Sequence, residues 1–397
     1  MTVAVLAVGC VGLILVGGFF DNLMEGLREQ FIHSQTGHLQ VNADGYYKMG
    51  VTAPLDYLMK DVSRVRHEIE LSPHVLFTVP RLKFSGMASS SSASMPVLVI
   101  GTDPFAEHRM GAVKATNATV SSVNIAEGQD LDPADPYGAI LGKGLLKALG
   151  LKVGDSVNLM TTRQAGAIDG AEYHVRGVFE TILKDVDNHA MKVSISSAQK
   201  ILGVSDQLHS FLVLLDDTKN TPVVEEELRK RFQTLGLGLE VLSWEKQGQY
   251  YHQSRDFLDK IYSTIQLIIS VVFFFSIANT INMAVLERVR EFGTMMAIGN
   301  SRGTVFMMIV MEVFFIGFIG SLVGLAVGAG ASGVVNAIGI EMPPPPQGSH
   351  SYLATISLSW HLMLAPFVTT IFSTVFSSFL PAYRASNFRI IEALGYI

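Results

Sequence analysis

The sequence predicts a membrane protein of four transmembrane α-helices carrying a large extracytoplasmic α+β domain, a split β-α-β lobe with a mostly β insert. Three observations predict it. Of 397 residues, 49% are hydrophobic and only 16% charged, with mean hydropathy +0.35, where a soluble domain has about 25% charged residues. The apolar residues gather into four long runs. The stretch 31–256, between the first run and the second, has ordinary soluble composition.

A span needs roughly 20 mostly apolar residues. Thr2 to Phe20 and Ile261 to Val285 carry no charge. Thr304 to Ile340 carries only Glu312, and Trp360 to Leu380 carries none. The third run is too long for one crossing and tight for two. Charge decides, because Lys and Arg near the spans mark the cytoplasmic side. Arg288, Arg290 and Arg302 precede the third run, Arg384 and Arg389 follow the fourth, and 341–359 between them has neither Lys nor Arg. One crossing in each run puts both basic segments inside. The first run lacks the basic start of a signal peptide and is expected as an uncleaved span with the N-terminus inside. The expected organisation is a first span and extension over 1–30, an external domain over 31–256, and a membrane domain over 257–397 with spans near 261–285, 304–335 and 360–381.

Within the external domain, "GHLQVNA", "HVLFTVPRLKF", "MPVLVIG", "YHVRGVFET" and "SFLVLLDD" read as strands. Pro54 to Leu71 reads as one helix, with Leu55, Leu58, Met59, Val62, Val65 and Ile69 on one face. "SGMASSSSAS" reads as a flexible loop and "GQDLDPADPYG" as a turn-rich linker. "SFLVLLDD", a helix over 221–235 and "LGLEVLSW" form a β-α-β unit.

Several chemistries find no support. Net charge −6 and a pI near 6.0 give nucleic acid no basic surface. The single cysteine, Cys10, permits neither an internal disulfide nor a cysteine-based metal site. "LGKG" fails the phosphate-loop pattern, since Tyr137 and Gly144 stand where Gly and Ser or Thr are needed. His74, His108, His174 and His189 lack ligand spacing and are read as surface or packing residues.

Gly320, Gly324 and Gly328 repeat every four residues. They are expected to let another helix approach closely, either a neighbouring span or a second subunit. Glu312 is expected to reach the cytoplasmic interface, the alternative being a gating or helix-pairing contact. "MPPPP", Met342 to Pro346, is expected as a stiff external linker.

The charged stretch "LERVREFGTMMAIGNSRG", Leu286 to Gly303, therefore lies in the cytoplasm between the second and third spans. On a helix, Val289, Phe292, Met296 and Gly299 share a face. Such a helix suits docking in the groove of a cytoplasmic partner. The plainer alternative is an interfacial helix that only anchors the hairpin. Ser301 is positioned to cap the helix that follows.

This segment resembles the E-x-x-R-E-[IF]-G-x-x-x-A-[IL]-G-x-S pattern of FtsX-like permeases, the MacB- and LolC/LolE-like ABC transporters. "PAYRASNFRIIEAL" resembles the family's tail. "GKGLLKALGLKVGDSVNL", "GVFETILKDVDNHAMKVSISSAQKILG" and "MPPPP" resemble its external and linker segments. The resemblance implies a bacterial inner-membrane permease with its large domain in the periplasm. It also implies a coupling helix at this hairpin, where a separate ATPase subunit docks. Glu287, Arg290, Glu291, Gly293, Ala297, Gly299 and Ser301 fall on the pattern, and Phe292, Met296 and Ile298 are included with them. ATP and Mg would be held by two ATPase copies, with no cofactor bound directly by this chain. Further partners implied are a second permease copy, a homodimer in preference to a heterodimer, a periplasmic carrier or adaptor, and membrane lipids. The implied function is ATP-driven extraction or export of lipoproteins or other amphipathic substrates, and the alternative is a transmembrane relay controlling an external partner such as a cell-wall hydrolase. The start at Met1 departs from the family's basic segment before the first span, and no Walker motif marks a fused ATPase.

Overall fold

The computed structural model describes residues 2–50, 54–112, 124–181, 184–342 and 352–387. The proline run 343–346 and the end of the tail motif beyond residue 387 lie outside the described residues. The chain divides into two compact units. A helical unit comprises 1–24, 252–341 and 353–397, and a sheet unit comprises 25–251 and 342–352.

Four helices are long and apolar enough to cross a membrane. They are α1 (Thr2–Phe31), α10 (Gln249–Glu287), α12 (Arg302–Ile338) and α13 (Trp360–Ser386). The third apolar run is one continuous helix, as the charge asymmetry requires. Between α10 and α12 lies the short α11 (Val289–Ala297).

The helical unit packs through small residues. Along α12, Gly320 faces Leu6, Gly324 faces Cys10 and Gly328 faces Ile14, a matching row four residues apart on α1. A Cβ on Gly324 would stand 2.6 Å from the Cys10 Cβ. The glycine stripe is thus occupied by the chain's own first span, which approaches closely because no side chain intervenes. Gly317 lies against Thr374 of α13. The Phe273 ring of α10 covers Gly9 of α1, and Tyr262 covers Gly17. Thr370, Thr374, Ser377 and Ser378 of α13 are buried. The Thr374 hydroxyl donates to the Thr370 carbonyl at 2.6 Å, so a polar group stays satisfied inside an apolar bundle.

The sheet unit runs in chain order through β1 (Leu39–Ala43), α2 (Tyr46–Met49), α3 (Val62–Glu70), β2 (Val75–Ser89), β3 (Ser94–Thr102) and α4 (Pro104–Ala112). Next come β4 (Asn124–Gly128), β5 (Gly138–Gly142), α5 (Lys143–Leu149), β6 (Ser156–Thr162), β7 (Ile168–Glu180) and α6 (Lys184–His189). The unit then continues through β8 (Ala190–Ser194), α7 (Ile195–Leu202), β9 (Ser210–Leu215), α8 (Thr221–Leu235), β10 (Leu239–Ser243) and α9 (Trp244–Gln247). Strands β1 to β10 form one ten-stranded sheet.

The β-α-β unit is split. β1 runs antiparallel between β9 and β10, with Val41 opposite both Phe211 and Val241. α8 packs beneath with Val224, Leu228 and Phe232, one buried residue per turn. The expected mostly β insert is continuous with this lobe in the same sheet. The ladder β2–β3–β8–β5–β7–β6 returns to β2, so six strands close into a small barrel. Closure removes exposed strand edges. The barrel core gathers Leu82, Phe84, Val99, Leu159, Tyr173 and Val193, joined by Leu145 and Leu149 of α5 and Ile201 and Leu202 of α7.

Two sequence expectations change here. Residues 54–71 are not one helix. Pro54–Asp56 is a 3-10 turn, Met59 bridges Leu208 as a strand would, and α3 begins only at Val62. The apolar spacing served two different elements. "SGMASSSSAS" is mostly paired strand, with only residues 90–93 at the hairpin tip. Hydroxyls of Ser90 and Ser92 donate to the Leu149 carbonyl at 2.7 and 3.3 Å, which pins the tip to α5.

Glu107 of α4 is buried and pairs with Arg81 and with Lys192, the latter at 2.7 Å. Burial alone would raise this carboxyl, but the two cations outweigh it and bring its pKa to about 2. The four scattered histidines pair separately with acidic residues, His74 with Asp216, His108 with Asp130, His174 with Asp135 and His189 with Asp185. Among the described residues no three His, Cys, Asp or Glu side chains converge as a metal site.

Candidate coupling site

The charged hairpin is built from three helix boundaries. α10 stops at Glu287, because Arg288 leaves the helical region with φ −111° and ψ 13°. α11 ends at Ala297 with Ile298 as its C-cap, and Gly299 follows with φ +105°, a conformation that favours glycine. α12 opens on Ser301, whose hydroxyl accepts from the Thr304 amide at 3.2 Å, the expected cap. Arg302 donates to the Asn387 side chain at 3.2 Å, tying the start of α12 to the end of α13.

α11 is amphipathic, but its apolar face points inward. Val289, Phe292, Gly293 and Met296 are buried. Phe292 and Met296 join Val305, Ile309, Val310 and Val313 of α12 and Ala382 and Ala385 of α13 in one core. This corrects the expectation that Val289, Phe292, Met296 and Gly299 form the docking face. An apolar stripe beside its own unpaired spans buries itself there first, since burial is roughly proportional to apolar area removed from water. Phe292, Gly293 and Met296 hold α11 in place, while Gly299 is exposed at the turn.

The exposed side carries the remaining residues singled out by sequence. Glu287, Arg290, Glu291, Ala297 and Ile298 are exposed, together with Thr294 and Asn300. Ile298 is 84% exposed, more than Phe105 and Ile168 of the sheet unit, each 73% exposed.

One residue absent from the sequence-based set organises this edge. The Arg288 guanidinium donates through Nε to Glu291 Oε2 at 2.9 Å and through Nη1 to both carboxylate oxygens of Glu312, at 3.2 and 3.1 Å. Its Cζ also lies 5.6 Å from the centre of the Phe292 ring. The bond to Glu291, and then the charge of Glu312, raise the Arg288 pKa against burial, which would lower it. Glu312 therefore makes a helix-pairing contact rather than reaching the interface unpaired. The signal was in the sequence, because a sole carboxylate in an apolar run calls for a cation.

Comparison with known families and proteins adds to this geometry. The family model "FtsX-like permease C-terminal" matches residues 263–390, and "MacB-like periplasmic core domain" matches residues 1–231. An uncharacterized ABC transporter permease of Methanocaldococcus jannaschii is 25% identical over 284 residues, 69% of this chain and 66% of that protein. The lipoprotein-releasing system transmembrane protein LolC of Neisseria meningitidis is 25% identical over 205 residues, 50% of this chain and 49% of that protein. The matches thus span about half to two thirds of these relatives' own length. Among solved structures, the periplasmic region of MacB from Actinobacillus actinomycetemcomitans is similar at TM-score 0.40 and 12% identity, covering 56% of this chain and 95% of that one.

Proposed function

This chain belongs to the ABC transporter permeases that combine a MacB-like periplasmic core domain with an FtsX-like membrane domain, and on that premise we propose that the exposed side of α11 is the docking surface for a separate cytoplasmic ATPase. The observation that carries the reading is Ile298, 84% exposed, flanked by exposed Arg290, Glu291 and Ala297 on a helix anchored by its other side. An apolar side chain ringed by charge matches the centre and rim of a protein interface.

In this reading, two ATPase copies bind ATP and Mg, and a second copy of the permease completes the assembly. Hydrolysis moves α11, and the spans carry that motion to the external domain in the periplasm. The cargo is a lipoprotein or another amphipathic molecule, in keeping with the relative named for lipoprotein release.

The test is co-purification of the permease with a cytoplasmic ABC ATPase co-expressed from the same source. Ile298→Asp should lower recovery of the ATPase about 10-fold or more and leave the permease folded. Undiminished recovery overturns the docking assignment. A reconstituted extraction assay with membrane-anchored lipoproteins then decides the cargo. ATP-dependent changes in a bound external protein, with nothing extracted, would mark a signal relay instead.

A further inference from the structure

α11 is held to the membrane helices in two different ways. Its inner face, through Phe292 and Met296, sits in an apolar cluster with α12 and α13. Apolar packing is non-directional, so it resists separation better than sliding or rotation. Its exposed edge is held by Arg288, whose guanidinium forks between two carboxylates: Nη1 meets both oxygens of Glu312 at 3.2 and 3.1 Å, and Nε meets Glu291 at 2.9 Å. A planar guanidinium held through two of its nitrogens is fixed in orientation as well as distance.

The position of that fork matters. Arg288 is the single residue between α10 and α11, where the chain turns. Glu312 lies ten residues beyond Arg302, the first residue of α12. That is about 15 Å along the helix at about 1.5 Å per residue. Arg302 and Glu312 are the only charged residues of α12. The contact therefore joins the root of α11 to the third turn of α12, not to its near end. Glu312 is the one carboxylate of this largely apolar helix, and Arg288 is the cation that meets it.

We propose that Arg288 and Glu312 form a strut that converts rotation of α11 into movement of α12, with Glu312 a positioning residue for energy coupling. This rests on the docking reading above and adds a site at which force leaves the docking helix. Arg288 also bonds Glu291 on the proposed docking surface, whereas Glu312 lies on α12, off that surface. Glu312→Gln should therefore uncouple the permease without releasing its partner.

The experiment uses the full-length permease in lipid nanodiscs with three variants, Arg288→Gln, Glu312→Gln and the double. Spin labels on Thr294→Cys and Val323→Cys report the distance between α11 and α12; the native Cys10 is buried and stays unlabelled. The wild type should give a narrow distance distribution. Both single variants should broaden it, and the double should be no broader than either single, because the two residues act as one unit. Recovery of the complex with the ATPase should be unchanged for Glu312→Gln, which leaves the Arg288–Glu291 bond in place. ATP-driven movement of the external domain should fall about 5- to 50-fold, equally in all three. Arg288→Lys, which keeps the charge and loses the fork, should fall between wild type and Arg288→Gln. Unchanged widths, additive effects in the double, or loss of ATPase binding by Glu312→Gln each overturn the strut. If the wild type itself recruits no ATPase, the docking reading fails, and the distance distributions alone decide the strut.

Discussion

α12 and the part of α10 from Tyr251 to Glu287 are both 37-residue candidate spans of nearly equal hydropathy, yet 39% of the apolar window of α12 is buried inside the chain, against 11% for α10. The difference lies in side-chain size. α12 presents Gly317, Gly320, Gly324 and Gly328 to α13 and α1. α10 presents Phe273 and Tyr262 to the glycines of α1, and leaves Leu267, Val272 and Phe275 exposed. Hydropathy makes a helix a span, and small residues decide which spans lie close together. The same division appears within α11, where Phe292 is 3% exposed and Ile298 is 84% exposed.

The largest test of this contrast is Phe292→Ala, expected to destabilise the helical unit by about 3–5 kcal/mol through a cavity among α11, α12 and α13. Ile298→Ala should cost less than about 0.5 kcal/mol. Thermal unfolding in detergent compares the two. Similar losses would mean that the inward and outward sides of α11 are wrongly assigned.

The sheet unit gives a sharper version, because there the buried group is a charge. Glu107→Gln leaves Arg81 and Lys192 buried without their carboxylate, at a cost of roughly 3–5 kcal/mol. The pKa of Glu107 is depressed, so its contribution is complete above the ordinary value of 4.5 and is lost as pH falls toward about 2. Acid titration of unfolding in the full-length protein should therefore show a steeper loss of stability in that window for the wild type than for Glu107→Gln. Equal slopes would show that the pair does not govern acid sensitivity.

The smallest paired effect separates α12 from α10 directly. Gly324→Ala places a methyl 2.6 Å from the Cys10 Cβ and should cost about 1–3 kcal/mol by overpacking. Phe275→Ala on α10, whose side chain is 67% exposed, should change detergent unfolding by less than about 0.5 kcal/mol. A large loss at Phe275 would show that α10 is covered by another molecule.

Much of the fold was legible in the residues. The four spans follow from apolar runs and the placement of Arg and Lys. The helix at 221–235 follows from its periodicity, with Gly236 ending it at φ +64°. Ser301 is an N-cap because its hydroxyl can replace a missing backbone partner. These features depend on neighbours within a few turns, so sequence spacing reports them.

What sequence alone determined was the four long apolar helices, the helix at 221–235 and the amphipathic face of α11. Only the tertiary structure decided what each face meets. It turned Phe292 and Met296 inward, matched the glycines of α12 to Leu6, Cys10 and Ile14, joined Arg288 to Glu312 and closed β2 to β6 into a barrel. A periodic face records that something will cover it. The identity of the cover depends on contacts between residues far apart in the chain, and local spacing carries no record of those.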